Sequence, residues 1–140
     1  MTVFTSAELD TPIARVWSIV GDFSGLARWH PLVERCEVKG DGPGAIRTIH
    51  FADWWAEERL EGRDETAHFI SYAITDSCRP EVIGVVGSIS LTALPDDRTR
   101  IEWTSGHQDD HPYAPAINPP LEAYYPARIG HLRDALARAA

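Results

Sequence analysis

The chain switches between two hydrophobic periods. Residues 2–9, TVFTSAEL, alternate apolar and polar positions and predict a first strand. Ile13, Val16, Trp17 and Val20 follow at helical spacing and predict a helix that Gly21 ends. Asp10 or Thr11 is placed to cap it, with Pro12 in its first turn. SGLARWH, residues 24–30, predicts a second short helix, capped by Ser24 and stopped by Pro31. From Leu32 the period returns to two. LVERCEVKG and AIRTIHF predict strands flanking the turn GDGPG, and Asp53-Trp54-Trp55 predicts a bulge or turn. AEERLEGR and AHFISYAIT predict a hairpin about Asp64-Glu65, and SCRPEVIG predicts a loop. GVVGSISLTAL and TRIEWTSGH predict two further strands joined at Pro95-Asp96-Asp97-Arg98.

The last segment is helical again. Leu121, Tyr125, Ile129, Leu132 and Leu136 share one face, and Asn118-Pro119-Pro120 predicts an N-cap with prolines in the first turn. Pro126 lies inside this pattern and cannot donate to the carbonyl of Glu122, which predicts a kink or a late helix start. The order is one strand, two helices, about six antiparallel strands and a long helix, an α+β pattern. An open sheet of this size has to cover its apolar face, and the terminal helix is the only element long enough to do so.

Length and composition narrow the classes. With 140 residues, 44% of them hydrophobic, and no repeat or linker, the chain reads as one globular domain over 1–140. Net charge is −8, from 13 basic and 21 acidic residues, with no run of Lys and Arg. That disfavours nucleic acid and anionic membranes as partners, and it repels an anionic substrate unless local arginines offset the field. Cys36 and Cys78 are far apart and form no C-x-x-C pair, against a redox motif or a cysteine zinc site. MTVFTSAELDTP has neither a basic start nor a long apolar run, so no signal peptide or membrane span is expected. The expectation is a cytoplasmic protein with reduced thiols, a monomer or homodimer. There is no phosphate-binding loop, dinucleotide glycine fingerprint or nucleophile elbow, and no cofactor is expected.

Motifs along nearly the whole chain resemble the SRPBCC superfamily, the START-like helix-grip fold, and within it the polyketide cyclase/dehydrase-type branch. They are Val16-Trp17-Ser18-Ile19-Val20-Gly21-Asp22-Phe23, Trp29-His30-Pro31, Gly42-x-Gly44-x-x-Arg47, Glu58-Arg59-Leu60, Tyr72-x-Ile74 and Thr99-Arg100-Ile101-Glu102-Trp103. The resemblance implies a curved antiparallel sheet of about seven strands around a long C-terminal helix, with two short helices after the first strand. It implies a deep, mostly apolar cavity between sheet and helix. Members bind lipids, hormones and polyketides; some are cyclases, aromatases or dehydratases. Fold analogy alone does not assign the reaction.

Strand parity selects the candidates for such a cavity. Tyr72 shares a face with His68, Ile70 and Ile74, and Trp103 shares one with Ile101, Ser105 and His107. Tyr72, Trp103 and His107 are expected to line the cavity, as hydrogen-bond donor, aromatic wall and proton carrier, or to be core residues whose polar ends find backbone partners. Trp29 and His30 are expected near one cavity end, as ligand contacts or as a structural plug. In AIRTIHF either Arg47, Ile49 and Phe51 point inward or Ile46, Thr48 and His50 do. An inward Arg47 needs a partner, and Glu58, which shares parity with Leu60, is the candidate. Such a pair is a structural ion pair or a means of poising Glu58 as a base. In HQDDHPYAP, His107 and His111 flank Asp109 and Asp110, but Pro112 follows and helical ligand geometry is not expected. The stretch reads as a loop over the cavity mouth rather than a metal site. Trp54 is a candidate aromatic wall. On the last helix Tyr124 and Arg128 lie one turn apart, and Arg128 either binds a carboxylate or enolate or belongs to a solvated face.

Two functions lead, ahead of a third, a protein-partner module that an exposed Trp54-Trp55 pair would support. One is a lyase- or isomerase-type biosynthetic enzyme acting on an aromatic or polyketide-like carbonyl compound by cyclisation or dehydration. Its acid–base groups would be His30 or His107, its carbonyl donor Tyr72 and its enolate stabiliser Arg47 or Arg128. The other is a non-catalytic carrier of a hydrophobic small molecule.

Overall fold

The computed structural model describes residues 2–138. Strand β1 (Val3–Leu9) leads into helix α1 (Ile13–Val20) and a single 3-10 turn, Leu26–Arg28. Six strands follow: β2 (Arg35–Lys39), β3 (Ile46–His50), β4 (Trp55–Asp64), β5 (Phe69–Ser77), β6 (Val86–Leu94) and β7 (Arg98–Gly106). A second 3-10 turn, Pro80–Val82, sits between β5 and β6, and helix α2 (Ala114–Arg138) ends the chain. The strands form one antiparallel sheet in the order β1-β7-β6-β5-β4-β3-β2. From β2 to β7 every neighbour is also the next strand in sequence, so loop closure is short there; only β1 closes over a long stretch of chain, onto β7. This is the α+β helix-grip arrangement.

Alternation along the strands puts Leu60, Ile70, Ile89 and Ile101 on one face. They join one core with Val16 and Trp17 of α1 and Ile129, Leu132 and Leu136 of α2. Full burial of a side chain such as Ile101 or Leu132 stabilises by about 1.5–3 kcal/mol. Both helices therefore cover the same face.

Several local expectations are corrected. Helix α1 has no side-chain cap; Pro12 is the N-cap, and its carbonyl accepts from the N–H groups of Arg15 (3.1 Å) and Val16 (3.2 Å). Asp10 instead accepts from Arg98 Nε at 3.0 Å, and the Thr11 carbonyl accepts from Thr99 Oγ1 at 2.7 Å. The expected second helix is only the 3-10 turn, because Ser24 turns its hydroxyl to Asp22 (2.7 Å) and Gly25 takes the cap position. Strand β2 starts at Arg35 rather than Leu32, since a turn closed by Val33 N–H to the His30 carbonyl (3.1 Å) occupies the intervening residues.

Helix α2 starts at Ala114, so Asn118 is an interior residue and not its cap. Pro119, Pro120 and Pro126 all lie inside the helix, which neither starts late nor stops at Pro126. The carbonyls they leave without an intrahelical donor belong to Pro115, Ala116 and Glu122, all exposed residues, so solvent takes the place of the lost bonds. Asn118 points the other way. Its Nδ2 donates to the His107 carbonyl (2.9 Å) and its Oδ1 accepts from the His107 N–H (2.8 Å). This two-point clamp ties the start of α2 to the end of β7. Gly106 permits it: φ is +131°, and a Cβ there would lie 2.6 Å from Asn118 Oδ1.

We predict that Asn118→Ala, which orphans two buried backbone groups, lowers the unfolding free energy by about 2–4 kcal/mol. Urea unfolding reads this as a lower midpoint at unchanged m-value, and an unmoved midpoint would refute the clamp.

Candidate functional site

Helix α2 does not lie flat on the sheet along its whole length. Ala114 and Asn118 are buried, and so are Arg128, Ile129, Leu132, Ala135 and Leu136, but the residues from Pro119 to Ala127 are not. Under that middle stretch is a cavity of about 280 Å³. Its walls are apolar where Ile49, Ala56, Ile74, Val85, Leu121 and Tyr125 contribute, and its polar groups are Glu58, Arg79, Ser105 and Tyr124. A larger groove of about 760 Å³ runs outside, between β1 and α2, lined by Thr2–Ser6 and by Pro115, Pro119 and Pro126. Its polar residues Thr5, Ser6, Asp109 and Glu122 lie outside the sheet–helix interior, whereas the smaller cavity lies between sheet and helix with aromatic and apolar walls, so the smaller cavity is the candidate site.

Parity in β3 is settled by the structure. Arg47 and Ile49 are buried, whereas Ile46, Thr48 and His50 occupy the outer face. Arg47 lies directly opposite Glu58 in the β3–β4 register. Its Nε (2.8 Å) and Nη2 (2.6 Å) both reach Glu58 Oε1, and Nη1 donates to the Phe23 carbonyl at 3.1 Å. The guanidinium also lies over the rings of Phe23 (4.3 Å) and Tyr72 (5.1 Å). Arg47 is thus fully engaged, while Glu58 keeps its second oxygen on a residue that lines the cavity.

His30 and Tyr124 form the second polar pair, at 3.0 Å between Nε2 and the hydroxyl. The Leu32 N–H donates to His30 Nδ1 (3.3 Å), so in the neutral ring the proton resides on Nε2 and points at Tyr124 Oη. Burial, reinforced by the Arg128, His131 and Arg47 charges, lowers the His30 pKa from 6.5 to about 4. The imidazole is therefore neutral at physiological pH. Burial also raises the Tyr124 pKa, so the phenol stays protonated. Its oxygen accepts from His30, and Tyr124 is itself a lining residue of the cavity.

The other expected residues occupy different places. Tyr72 and Trp103 are not on the cavity lining; the Trp103 indole N–H donates to Tyr72 Oη at 3.0 Å, behind the wall. Burial pushes the Tyr72 pKa up, and a Cβ at Gly87 would meet its ring at 2.5 Å. Trp29 is buried beside Trp103 (centroids 5.9 Å) and His30 (5.6 Å), also off the lining. His107 is 1% exposed, donates from Nε2 to the Glu81 carbonyl at 2.7 Å, and stacks on His111 at 3.6 Å. This histidine pair holds the 81–84 loop against the start of α2. Among the described residues no cluster of three His, Cys, Asp or Glu side chains suits a metal ion.

The cavity mouth is aromatic. Trp54 stacks flat on Phe51 (4.3 Å, 7°), and the Arg79 guanidinium sits 4.5 Å from the Trp54 ring. Asp53 anchors Arg79 at 3.5 Å. Sequence parity offers no way to find Arg79, which comes from the irregular loop after β5. The Tyr125–Ser105 hydrogen bond (2.9 Å) joins two lining residues, one from α2 and one from the end of β7. Arg128 is buried with its guanidinium 4.3 Å from the Tyr124 ring, and its Nε and Nη1 have no hydrogen-bond partner.

Comparison with known proteins supports the fold throughout. The family described as polyketide cyclase / dehydrase and lipid transport matches residues 1–138. A solution structure from Thermobifida fusca is 28% identical, with a TM-score of 0.82 over 98% of this chain and 93% of that one. The XoxI protein of Bacillus cereus is 22% identical, with a TM-score of 0.80 over 97% of this chain and 95% of that one. The crystal structure of Ara h 8.0201 has the same fold at 15% identity, with a TM-score of 0.76 over 99% and 98%. The helix-gripped sheet, the cavity beneath its helix and the match over residues 1–138 together place this chain in the polyketide cyclase/dehydrase and lipid transport family.

Proposed function

We propose that this protein binds a small hydrophobic carbonyl compound, aromatic or polyketide-like, in the cavity under α2 and promotes its cyclisation or dehydration. The observation that carries the reading is the Tyr124 hydroxyl. It lies on the cavity wall, its oxygen accepts from a neutral imidazole, and in this reading its proton goes to a ligand oxygen.

The size of the cavity limits the ligand. An apolar space of about 150 Å³ holds one benzene ring, so about 280 Å³ suits one or two rings with short substituents. Trp54 and Phe51 at the mouth offer flat faces for such rings.

The chemistry needs a group to accept a proton from carbon and a group to stabilise the charge that appears on the carbonyl oxygen. Glu58 supplies the first. Arg47 occupies Oε1 and orients the carboxylate, and Oε2 takes the proton. Tyr124 supplies the second, donating to the developing enolate in a site with little water. For ring closure, the enolate carbon then attacks a second carbonyl of the folded chain, and the new alkoxide takes up a proton. For dehydration, the β-hydroxyl leaves as water with the proton Glu58 gained. His30 acts through Tyr124 and is a positioning residue. Tyr72 and His107 are already engaged elsewhere and take no part in this scheme.

The test incubates the protein with one- and two-ring carbonyl compounds, scores thermal stabilisation and identifies each compound recovered. We predict a stabilising compound recovered as its cyclised or water-loss product. Tyr124→Phe is expected to lower turnover by about 10²–10³ while leaving affinity within a few-fold. A stabilising compound recovered unchanged makes the protein a carrier instead.

The neutrality of His30 has its own signature. Its folded pKa, about 4, lies below the unfolded 6.5, so the unfolded chain binds the proton more readily between those values. Stability is therefore complete above pH 6.5 and is lost as pH falls toward 4, by on the order of 3 kcal/mol. Urea unfolding across that window is predicted to show this slope, and His30→Gln to flatten it. An identical slope in the variant would assign the loss to other groups.

A further inference from the structure

We propose that the compound bound in the cavity carries a carboxylate and that Arg79, at the mouth, receives it by displacing Asp53. This names a ligand class for the cavity reading above and rests on that reading.

Glu58 and Arg79 are the charged residues of the cavity lining. Glu58 is compensated by Arg47, which meets it in register across β3 and β4. Arg79 has no such partner. Among the described residues its one ion pair is to Asp53 at 3.5 Å, between side chains that are 44% and 79% exposed. A pair that long and that exposed contributes little, and another anion competes for it readily. The other contact of the guanidinium is the Trp54 ring, at 4.5 Å. A cation–π contact uses the face of a guanidinium and leaves its N–H fork in its own plane. Trp54 is itself a lining residue, so this contact holds the guanidinium at the cavity wall.

The backbone supports the same placement. The Arg79 N–H donates to Ser77 Oγ (3.0 Å), and that hydroxyl donates to the Trp55 carbonyl (2.7 Å). The Arg79 carbonyl accepts from the Val82 N–H at 3.1 Å and opens the 3-10 turn that carries Val82 to the lining. Arg79 is thus fixed at its root and lightly held at its tip.

The position of this cation selects the ligand. A carboxylate drawn fully into an apolar space loses more hydration than one cation returns. At the rim it stays partly hydrated, and its planar oxygens match the guanidinium fork with two parallel bonds. The ring behind it then lies under α2, among Ile49, Ile74, Val85 and Leu121. One cation suits a monoanion, whereas a phosphate dianion would leave a charge unmet. Arg79 also offsets, at the point of entry, the repulsion that a net charge of −8 exerts on an acid.

The test titrates two probes of one shape, 2-naphthoate and the neutral ketone 2-acetylnaphthalene, into wild type, Arg79→Gln and Asp53→Asn. Naphthoate is expected to bind wild type, to bind Arg79→Gln about three- to tenfold more weakly, and to bind Asp53→Asn about two- to fivefold more tightly. The ketone is expected to bind all three proteins within about twofold, since it makes no ion pair. Added salt is expected to weaken naphthoate binding to wild type and to leave the ketone unchanged, because an exposed charge pair is screened. Naphthoate affinity that ignores Arg79→Gln, or that falls in Asp53→Asn, overturns the proposal. Arg79→Gln is expected to melt with wild type, its side chain being at the surface. Should it melt well below, the salt dependence of wild type decides, and its absence overturns the proposal. Binding of the ketone alone keeps the cavity and rejects the carboxylate. Failure of both probes rejects the cavity reading together with this inference. Arg79-dependent naphthoate binding without turnover of carbonyl compounds keeps this inference and rejects catalysis.

Discussion

A seven-stranded sheet with one apolar face depends here on a single helix to cover it. Helix α2 is held at two ends by different means. At its start, Asn118 grips the backbone of His107. Toward its end, Ile129, Leu132 and Leu136 enter the core, and Arg15 of α1 donates to the Leu136 carbonyl at 3.2 Å. Between these anchors the helix bridges rather than packs. Tyr124 and Tyr125 fill part of the gap with rings whose hydroxyls reach His30 and Ser105. The cavity is the remainder. It follows from anchoring a stiff rod at both ends over a sheet face that its middle side chains do not fill, and the prolines on the outer face do not prevent it.

The same geometry determines what the cavity offers chemically. The polar side chains near it are oriented by their neighbours. Glu58 has Arg47 on one oxygen. His30 has its tautomer set by the Leu32 N–H and its neutrality enforced by burial beside Arg128. Tyr124 is kept protonated by burial. The result is an apolar chamber with an oriented carboxylate and an oriented phenol, both available without reorganising the protein. Such pre-set dipoles are worth more in a dry site than in water.

Much of this was legible in the chain. Period-two segments separated by turn residues located all six strands from β2 to β7, and the parity of Glu58 with Leu60 placed the carboxylate inward correctly. What failed was local chemistry overridden by tertiary contacts. Asn118 before two prolines has the form of an N-cap, yet its amide is used across the fold, on His107. Asp10 has the form of a cap for α1, yet Arg98 of β7 engages it. Tyr72, Trp103 and His107 have the right parity for the cavity, but parity reports which face a residue is on and not how far along the strand the helix lifts away. Tyr72 and Trp103 lie off the lining and donate or accept within the core, whereas Tyr124 reaches the lining from the helix. Arg79 was invisible because its role depends on where an irregular loop meets Trp54.

The two buried arginines show how such a fold separates stability from function. Both lie in the same interior, and both lower the His30 pKa. A core selected for stability alone would give each a partner, or would replace each by an apolar residue, since an unpaired buried charge opposes folding. Arg47 follows that rule, in register with Glu58 and under the Phe23 carbonyl. Arg128 has no carboxylate partner among the described residues: its guanidinium lies 4.3 Å from the Tyr124 ring with Nε and Nη1 unpartnered, and Glu122 and Asp134 on the same helix are exposed. Local departures from good packing tend to mark places where something else completes the structure. Here the departure adjoins Tyr124, which with Tyr125 reaches the cavity wall from α2 and which accepts from a neutral imidazole.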